Sequence, residues 1–318
     1  MKWIKLGKIF DPTDHKLPHN CLEFSQAPQA LIMNDRVRVY FSTREKDAAE
    51  KYLSHVAFVD FAKDMQTILG TSSNTVIALG ELGCFDEHGI FPVNIVREDT
   101  RVLAYTTGWN RKASVSADAS IGLAISYDNG LTFQKHGKGP VLTSSLHEPF
   151  LIGDAFVVAY SGVYHMWYIF GTEWKRSTES DAPDRVYKIG HAISYDGMNW
   201  RKEGRQIISD KLNDDECQAL PTVFYQAGTY HMYFCYRQAH GFRSLSNNAY
   251  RLGYAYSTDL INWARSDDQA GIDVSADGWD SKMQCYPHVF QLEGKIFMLY
   301  NGNEFGRFGF GIALLDEK

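Results

Sequence analysis

Ala192-Ile-Ser-Tyr-Asp196-Gly-Met-Asn-Trp200 decides the fold, because versions of this stretch return along the whole chain. Ala57 opens Ala-Phe-Val-Asp60, Ala124 opens Ala-Ile-Ser-Tyr-Asp128, Ala255 opens Ala-Tyr-Ser-Thr-Asp259, and Ala313 opens Ala-Leu-Leu-Asp316. The alanines are separated by 67, 68, 63 and 58 residues. A second series keeps step with them, at Pro28, Pro92, Pro149, Pro221 and Pro287, with separations of 64, 57, 72 and 66. A repeat of this length, built of short alternating segments, is the signature of a β-propeller with one sheet per repeat. Five copies predict five blades.

Each copy divides into four strands. In the fourth copy, Pro221-Thr-Val-Phe-Tyr225 forms the first, and a turn through Gly228 leads into the aromatic-rich second, Tyr230–Tyr236. Such residues suit a pleated, half-buried surface. Tyr250–Tyr256 is the third strand. Asp259 then makes a turn by accepting backbone N–H bonds, and Ile261-Asn-Trp263 begins the fourth. Proline is tolerated where a first strand opens, since that position need not donate to the ladder. The fifth copy stops after its third strand, Gly311–Leu315. Trp3-Ile-Lys-Leu-Gly-Lys-Ile-Phe10 resembles Trp200-Arg-Lys-Glu-Gly-Arg-Gln-Ile207, so the N-terminus is expected to supply the missing strand and close the ring. The fold class is therefore all-β, a five-bladed propeller of four-stranded antiparallel blades. Residues 1–318 form a single domain. The longest insertions, around Ser177–Asp184 and Gln238–Asn248, fall between second and third strands.

A net charge of −6 with a pI near 6.0 argues against a nucleic-acid surface, which is normally basic. Lys2, Lys5 and Lys8 are not followed by an apolar run, so no secretory signal is predicted, and no stretch is apolar enough for a membrane span. The five cysteines are odd in number and lack metal-type spacing, which suggests a reducing, cytoplasmic compartment. Oligomeric state leaves no mark in the sequence.

First strands line the channel of a propeller, and a funnel at one end is the natural ligand site. The residues before each first strand are therefore the candidate pocket: Gln26, Asp86, Glu87, His147, Glu148, Glu216 and Tyr286. Like charges converging there raise one another's pKa, which suits acid–base chemistry. Segments after the second strands add Trp109, Arg111, Trp174, Arg237, His240, Arg243, Asn303 and Glu304. Tryptophan beside arginine, asparagine and glutamate suits a sugar ring, by stacking and forked hydrogen bonds. Arg237, His240 and Arg243 equally suit a carboxylate or phosphate.

The chain resembles the five-bladed propeller glycoside hydrolases, the superfamily of invertases, arabinanases, β-xylosidases and mannoside phosphorylases. Ser194–Trp200 and the carboxylates near inner-strand prolines carry the likeness. Phe85–Ile90, Asp215–Gln218, Gly278–Ser281, Cys285–His288 and Gly302–Gly306 are similar to segments of a branch labelled as glycosylases. The resemblance implies a carbohydrate or glycoconjugate substrate and a carboxylate pair. Glu216 would be the acid, Asp86 or Glu87 the nucleophile or base, and Glu148 would tune or position. Two departures stand out. Glu216 lies five residues before Pro221, and Ser25-Gln26-Ala27-Pro28 has no carboxylate beside its proline. Phosphorolysis or transfer at the Arg/His cluster, and a non-catalytic carbohydrate-binding propeller, are the alternatives. No cofactor or metal is required, although an axial Ca²⁺ is compatible with so many oxygens.

Overall fold

The computed structural model describes residues 1–178 and 181–316. Among them are β-strands and short 3-10 turns, with no α-helix. The strands in chain order are β1 (Trp3–Phe10), β2 (Glu23–Ile32), β3 (Val37–Lys46), β4 (Tyr52–Phe61) and β5 (Ile68–Thr71). Next come β6 (Gly89–Arg97), β7 (Val102–Asn110), β8 (Asp118–Ser126) and β9 (Gln134–Lys135), then β10 (Ile152–Tyr160), β11 (Val163–Lys175), β12 (Asp184–Ser194) and β13 (Arg201–Lys202). The last are β14 (Glu216–Gln226), β15 (Thr229–Gln238), β16 (Arg251–Ser257), β17 (Ala264–Arg265), β18 (Cys285–Leu292), β19 (Lys295–Asn301) and β20 (Phe310–Leu315).

Consecutive strands pair antiparallel as meanders. β10–β13 and β14–β17 each form a four-stranded sheet, and a third sheet runs β18-β19-β20-β1. β2–β5 and β6–β9 are two further meanders, joined by one parallel pair, Ser54 with Gly89. The first strands pack side by side, β2 on β6, β6 on β10, β10 on β14, β14 on β18 and β18 on β2. This is a β-propeller arrangement. Of the insertion around Ser177–Asp184, residues 179 and 180 lie outside the described residues.

The alanine series has a plain packing reason. Ala57, Ala124, Ala192, Ala255 and Ala313 are all fully buried on third strands, where only a small side chain leaves room for the next sheet. Across to the outermost strand, Ala124 faces Lys135, Ala192 faces Lys202, Ala255 faces Arg265 and Ala313 faces Lys5. The turns that follow are locked by side chains. Asp259 Oδ1 accepts from the backbones of Ile261 and Asn262, and Asp196 Oδ1 does the same for Met198 and Asn199. Trp263 belongs to that turn, and the fourth strand starts at Ala264.

The proline series needs one correction. Pro149 lies outside any strand, and β10 begins at Ile152. The register of each first strand breaks at an equivalent bulge, at Ala27-Pro28, Phe91-Pro92, Asp154-Ala155, Leu220-Pro221 and Tyr286-Pro287, and β2 has a second break between Glu23 and Gln26. Ala155 therefore stands where the other sheets have proline. With it the separations become 64, 63, 66 and 66, more even than the proline count alone.

Candidate functional site

The carboxylates expected to converge on the axis do something else. Asp86, Glu148, Glu216 and Asp280 are each buried inside their own sheet, against the cation that faces the buried alanine. Asp86 pairs with Lys135 at 2.5 Å, Glu148 with Lys202 at 2.6 Å, Glu216 with Arg265 at 2.5 Å and Asp280 with Lys5 at 2.8 Å. Glu148 also accepts the Tyr168 hydroxyl at 2.6 Å. Glu216 accepts from the backbone N–H groups of Lys211 and Leu212 and from Gln218 Nε2, so it has nothing left to present to a substrate. Buried charges persist when paired and hydrogen-bonded in this way. Glu87 caps the backbone of Gly83 instead.

The cavity lies elsewhere on the same inner strands. It measures about 330 Å³, and its walls come from β3, β4, β6, β7, β8, β10, β11, β12 and β18 with the segments leading into β8, β10 and β16. Of the expected binding residues, Trp109, Arg243 and Tyr286 line it. The others do not. Gln26 is buried and donates to the Phe305 carbonyl, while Arg111 pairs with Asp47. His147 is exposed, and Trp174 packs against the core. Asn303 caps the backbone of Lys282 and Met283, Glu304 faces Arg307, and His240 pairs with Asp184. Arg237 sits behind the wall, stacked on Phe242 and donating to Tyr187 Oη, which shares a 2.5 Å hydrogen bond with Tyr250 Oη.

Asp154 is the residue the proline frame missed. It occupies the bulge of β10 with a left-handed φ of 53°, a conformation aspartate tolerates better than most residues. Its backbone N–H donates to Thr107 Oγ1 at 2.8 Å, and Gly153 makes this approach feasible, since a Cβ there would come within 2.7 Å of Thr107 Cγ2. The carboxylate takes one protein hydrogen bond, from the Leu220 N–H to Oδ2 at 3.2 Å. Burial pushes its pKa up to about 7, against smaller lowering by that bond and by Arg185. Ala27, Phe91, Leu220 and Tyr286 fill the equivalent bulges, so Asp154 is the single acid among them. Asp118, near the mouth, is the other carboxylate on the lining, half-exposed and 3.3 Å from Lys112 Nζ. Arg44, Arg185 and Arg243 supply the cations, and Tyr52, Tyr187, Tyr250, Tyr286, Phe91 and Trp109 the aromatic surface.

One group outside the cavity offers three metal-type ligands, His19, Glu45 and His55. Its two imidazoles are stacked with centroids 3.9 Å apart, while His55 Nε2 bonds Glu45 and His19 Nε2 bonds Thr75. That geometry is a hydrogen-bonded stack in which one nitrogen of each ring is engaged, while His55 Nδ1 is buried without a partner. No helix among the described residues is long and apolar enough to cross a membrane.

The fold is shared with solved glycoside hydrolases. A solved glycoside hydrolase superposes with a TM-score of 0.75 at 16% identity, over 99% of this chain and 92% of that one. The endo-arabinase of Bacteroides thetaiotaomicron gives 0.62 at 12% identity, over 98% of each chain. No family model matches the sequence. The chain belongs to the family of the Mycobacterium tuberculosis protein known as uncharacterized protein Rv1502 in one strain and MT1551 in another, 36% identical over the full length of both chains.

Proposed function

We propose that this protein is a carbohydrate-active enzyme that breaks a glycosidic bond, with Asp154 as the proton donor. The observation that carries the reading is a buried carboxylate at the pocket bulge whose pKa is raised to about 7. An acid poised near neutral pH holds its proton until a leaving oxygen needs it. Asp118, solvated at the mouth, is suited to the opposite role, taking a proton from the incoming nucleophile. Two carboxylates in unlike surroundings divide the work as glycosidases require. Trp109 and the tyrosines give a sugar ring apolar faces and hydroxyl partners. Glycoside hydrolases and an endo-arabinase sharing the fold support a carbohydrate or glycoconjugate substrate.

The scaffold reading goes with this. The meanders are the blades of a five-bladed ring that forms one domain, closed through β1, and the pairing of Trp3 with Leu315 through Phe10 with Phe310 supports closure. Five free cysteines support a cytoplasmic setting.

The test is turnover of a panel of alkyl and nitrophenyl glycosides by the full chain and by Asp154→Asn. Loss of the acid should cut cleavage of alkyl glycosides by about 10²–10⁴-fold. Nitrophenyl substrates, whose leaving group needs little protonation, should suffer much less. Equal loss on both moves the acid role away from Asp154. Binding of sugars with no cleavage of any substrate would leave the carbohydrate-binding propeller.

A further inference from the structure

Arginines in this protein stand in different electrostatic surroundings. Several away from the cavity sit on acids: Arg38 on Asp60 at 2.7 Å, Arg101 on Glu98 at 2.5 Å, Arg265 on Glu216 at 2.5 Å and Arg307 on Glu23 at 2.8 Å. Arg44, Arg185 and Arg243 line the cavity, and among the described residues none has a carboxylate within ion-pairing distance. Arg44 rests on the Phe24 ring at 4.7 Å and Arg243 on Phe242 at 4.2 Å, contacts that hold the side chains without neutralising them. The Nε of Arg44 is buried without a partner.

These charges also act on one another. Burial, and then repulsion from Arg185 and Arg243, holds the Arg44 guanidinium below its ordinary pKa. Arg243 is lowered by burial, then by Arg237 and Arg185, with Asp184, already paired to His240, acting more weakly the other way. The chain as a whole carries −6, so this is a local concentration of cations on an acidic protein. The acids on the lining do not balance it: Asp118 has Lys112 beside it, and Asp154 carries its proton up to about pH 7. A cavity arranged in this way lacks its counter-charge.

We infer that the pocket receives a phosphate group, and that Arg44, Arg185 and Arg243 bind it. The inference rests on the reading that this cavity is the ligand site, but not on any chemistry by Asp154. Three forked guanidiniums match the peripheral oxygens and double charge of phosphate, and Arg holds such groups by paired, charge-assisted bonds. The hydroxyls of Tyr187 and Tyr250, backed by Arg237, extend the donor surface. The phosphate has two sources, an ester on the carbohydrate or the free inorganic ion as a co-substrate.

Calorimetric titration of the full chain in phosphate-free buffer tests this with inorganic phosphate, glucose 1-phosphate, glucuronate and glucose. Binding of either phosphate ligand at least tenfold tighter than glucose and glucuronate is the expected result. Inorganic phosphate binding as well as the ester points to the free ion, and ester binding alone to a phosphorylated carbohydrate. Arg185→Gln and Arg243→Gln should each weaken that binding about tenfold or more, the scale of a lost charged hydrogen bond. Arg205→Gln, on the surface and paired with Glu203, should leave it unchanged. Melting curves check that each variant is folded. Glucose or glucuronate binding as tightly as the phosphates overturns the inference, as does phosphate binding indifferent to both arginine variants. Failure of phosphate binding beside intact, Asp154-dependent cleavage of neutral glycosides would remove the anion site and leave the proposed activity standing. Tight phosphate binding with no cleavage of any glycoside would do the reverse.

Discussion

Glu216 and Asp154 are both buried acids near the head of an inner strand, and their surroundings are opposites. Glu216 is met by a guanidinium and a glutamine from its own sheet and by two backbone N–H groups from the segment leading into it. Asp154 is met by one backbone N–H and faces the cavity. Glu216 belongs to a set, since Asp86, Glu148 and Asp280 each meet the outer-strand cation of their own sheet in the same way. Asp154 has no counterpart in any other sheet. A feature that four repeats share is explained by the repeat, as a clamp joining inner to outermost strand. The feature that breaks the repeat is the one that asks for a function.

The clamp side of this contrast is broken most severely at the N-terminus. Deleting residues 1–10 removes Lys5, the partner of Asp280, and with it the whole of β1. It also removes Trp3 and Phe10, both buried, each contributing about 1.5–3 kcal/mol or more by burial alone. β20 would become an open edge, and Asp280 a buried charge without its cation. The expected outcome is loss of cooperative folding, or a melting temperature far below that of the full chain. A truncated protein that melts with the full chain would remove ring closure and the clamp together.

A smaller perturbation separates clamp from site. Glu216→Gln keeps the shape but turns an NH₂ toward Arg265 or the backbone donors, leaving that buried guanidinium without its carboxylate. Breaking a buried pair in this manner costs about 3–5 kcal/mol, measurable by denaturant titration near neutral pH. Ligand binding and turnover per folded molecule should stay unchanged, because Glu216 does not line the cavity. Unchanged stability with lost turnover would instead put Glu216 in the chemistry and dissolve the distinction.

Much of the architecture was legible in the sequence. The alanines are buried on third strands, four of them facing a long cation on the outermost strand, and the Ser-x-Asp turns bind their own backbone, so both kept their pattern in each copy they occupy. The match of Trp3–Phe10 to Trp200–Ile207 located β1 with its observed limits. The site was less legible, for a specific reason. Proline served as the marker of each inner strand, and β10 has Ala155 there, while Pro149 lies six residues earlier and drew the eye to Glu148. Even separations were the signal that would have found Asp154. Which face of a strand a carboxylate takes depends on the cation across the sheet, and Lys135, Lys202 and Arg265 lie about 50 residues from their partners. Arg44 and Arg185 lie on strands that look like ordinary outward-facing positions until neighbouring sheets are in place around them.

The last and mildest test asks whether Asp154 carries the reverse of the clamp's energetics. Its folded pKa, about 7, lies above an ordinary value of 3.8, so between those limits the native state holds a proton that the unfolded chain releases. The contribution of Asp154 to stability must then fall as pH climbs from about 4 to about 7 and level off above that range. Asp154→Asn removes the titrating proton, can still accept the Leu220 N–H, and suits the left-handed φ. The variant should match the parent near pH 4 and gain on it as pH rises, by at most roughly 4 kcal/mol at about pH 8, with phosphate kept out of the buffer. Glu216→Gln loses stability at that pH, so the two substitutions of one acid by its amide move in opposite directions. Denaturant titrations of both variants at about pH 4.5 and pH 8 check the sign. A pH-independent difference for Asp154→Asn would mean that the carboxylate is ionised in the folded protein, and the proton-donor role would fall with it.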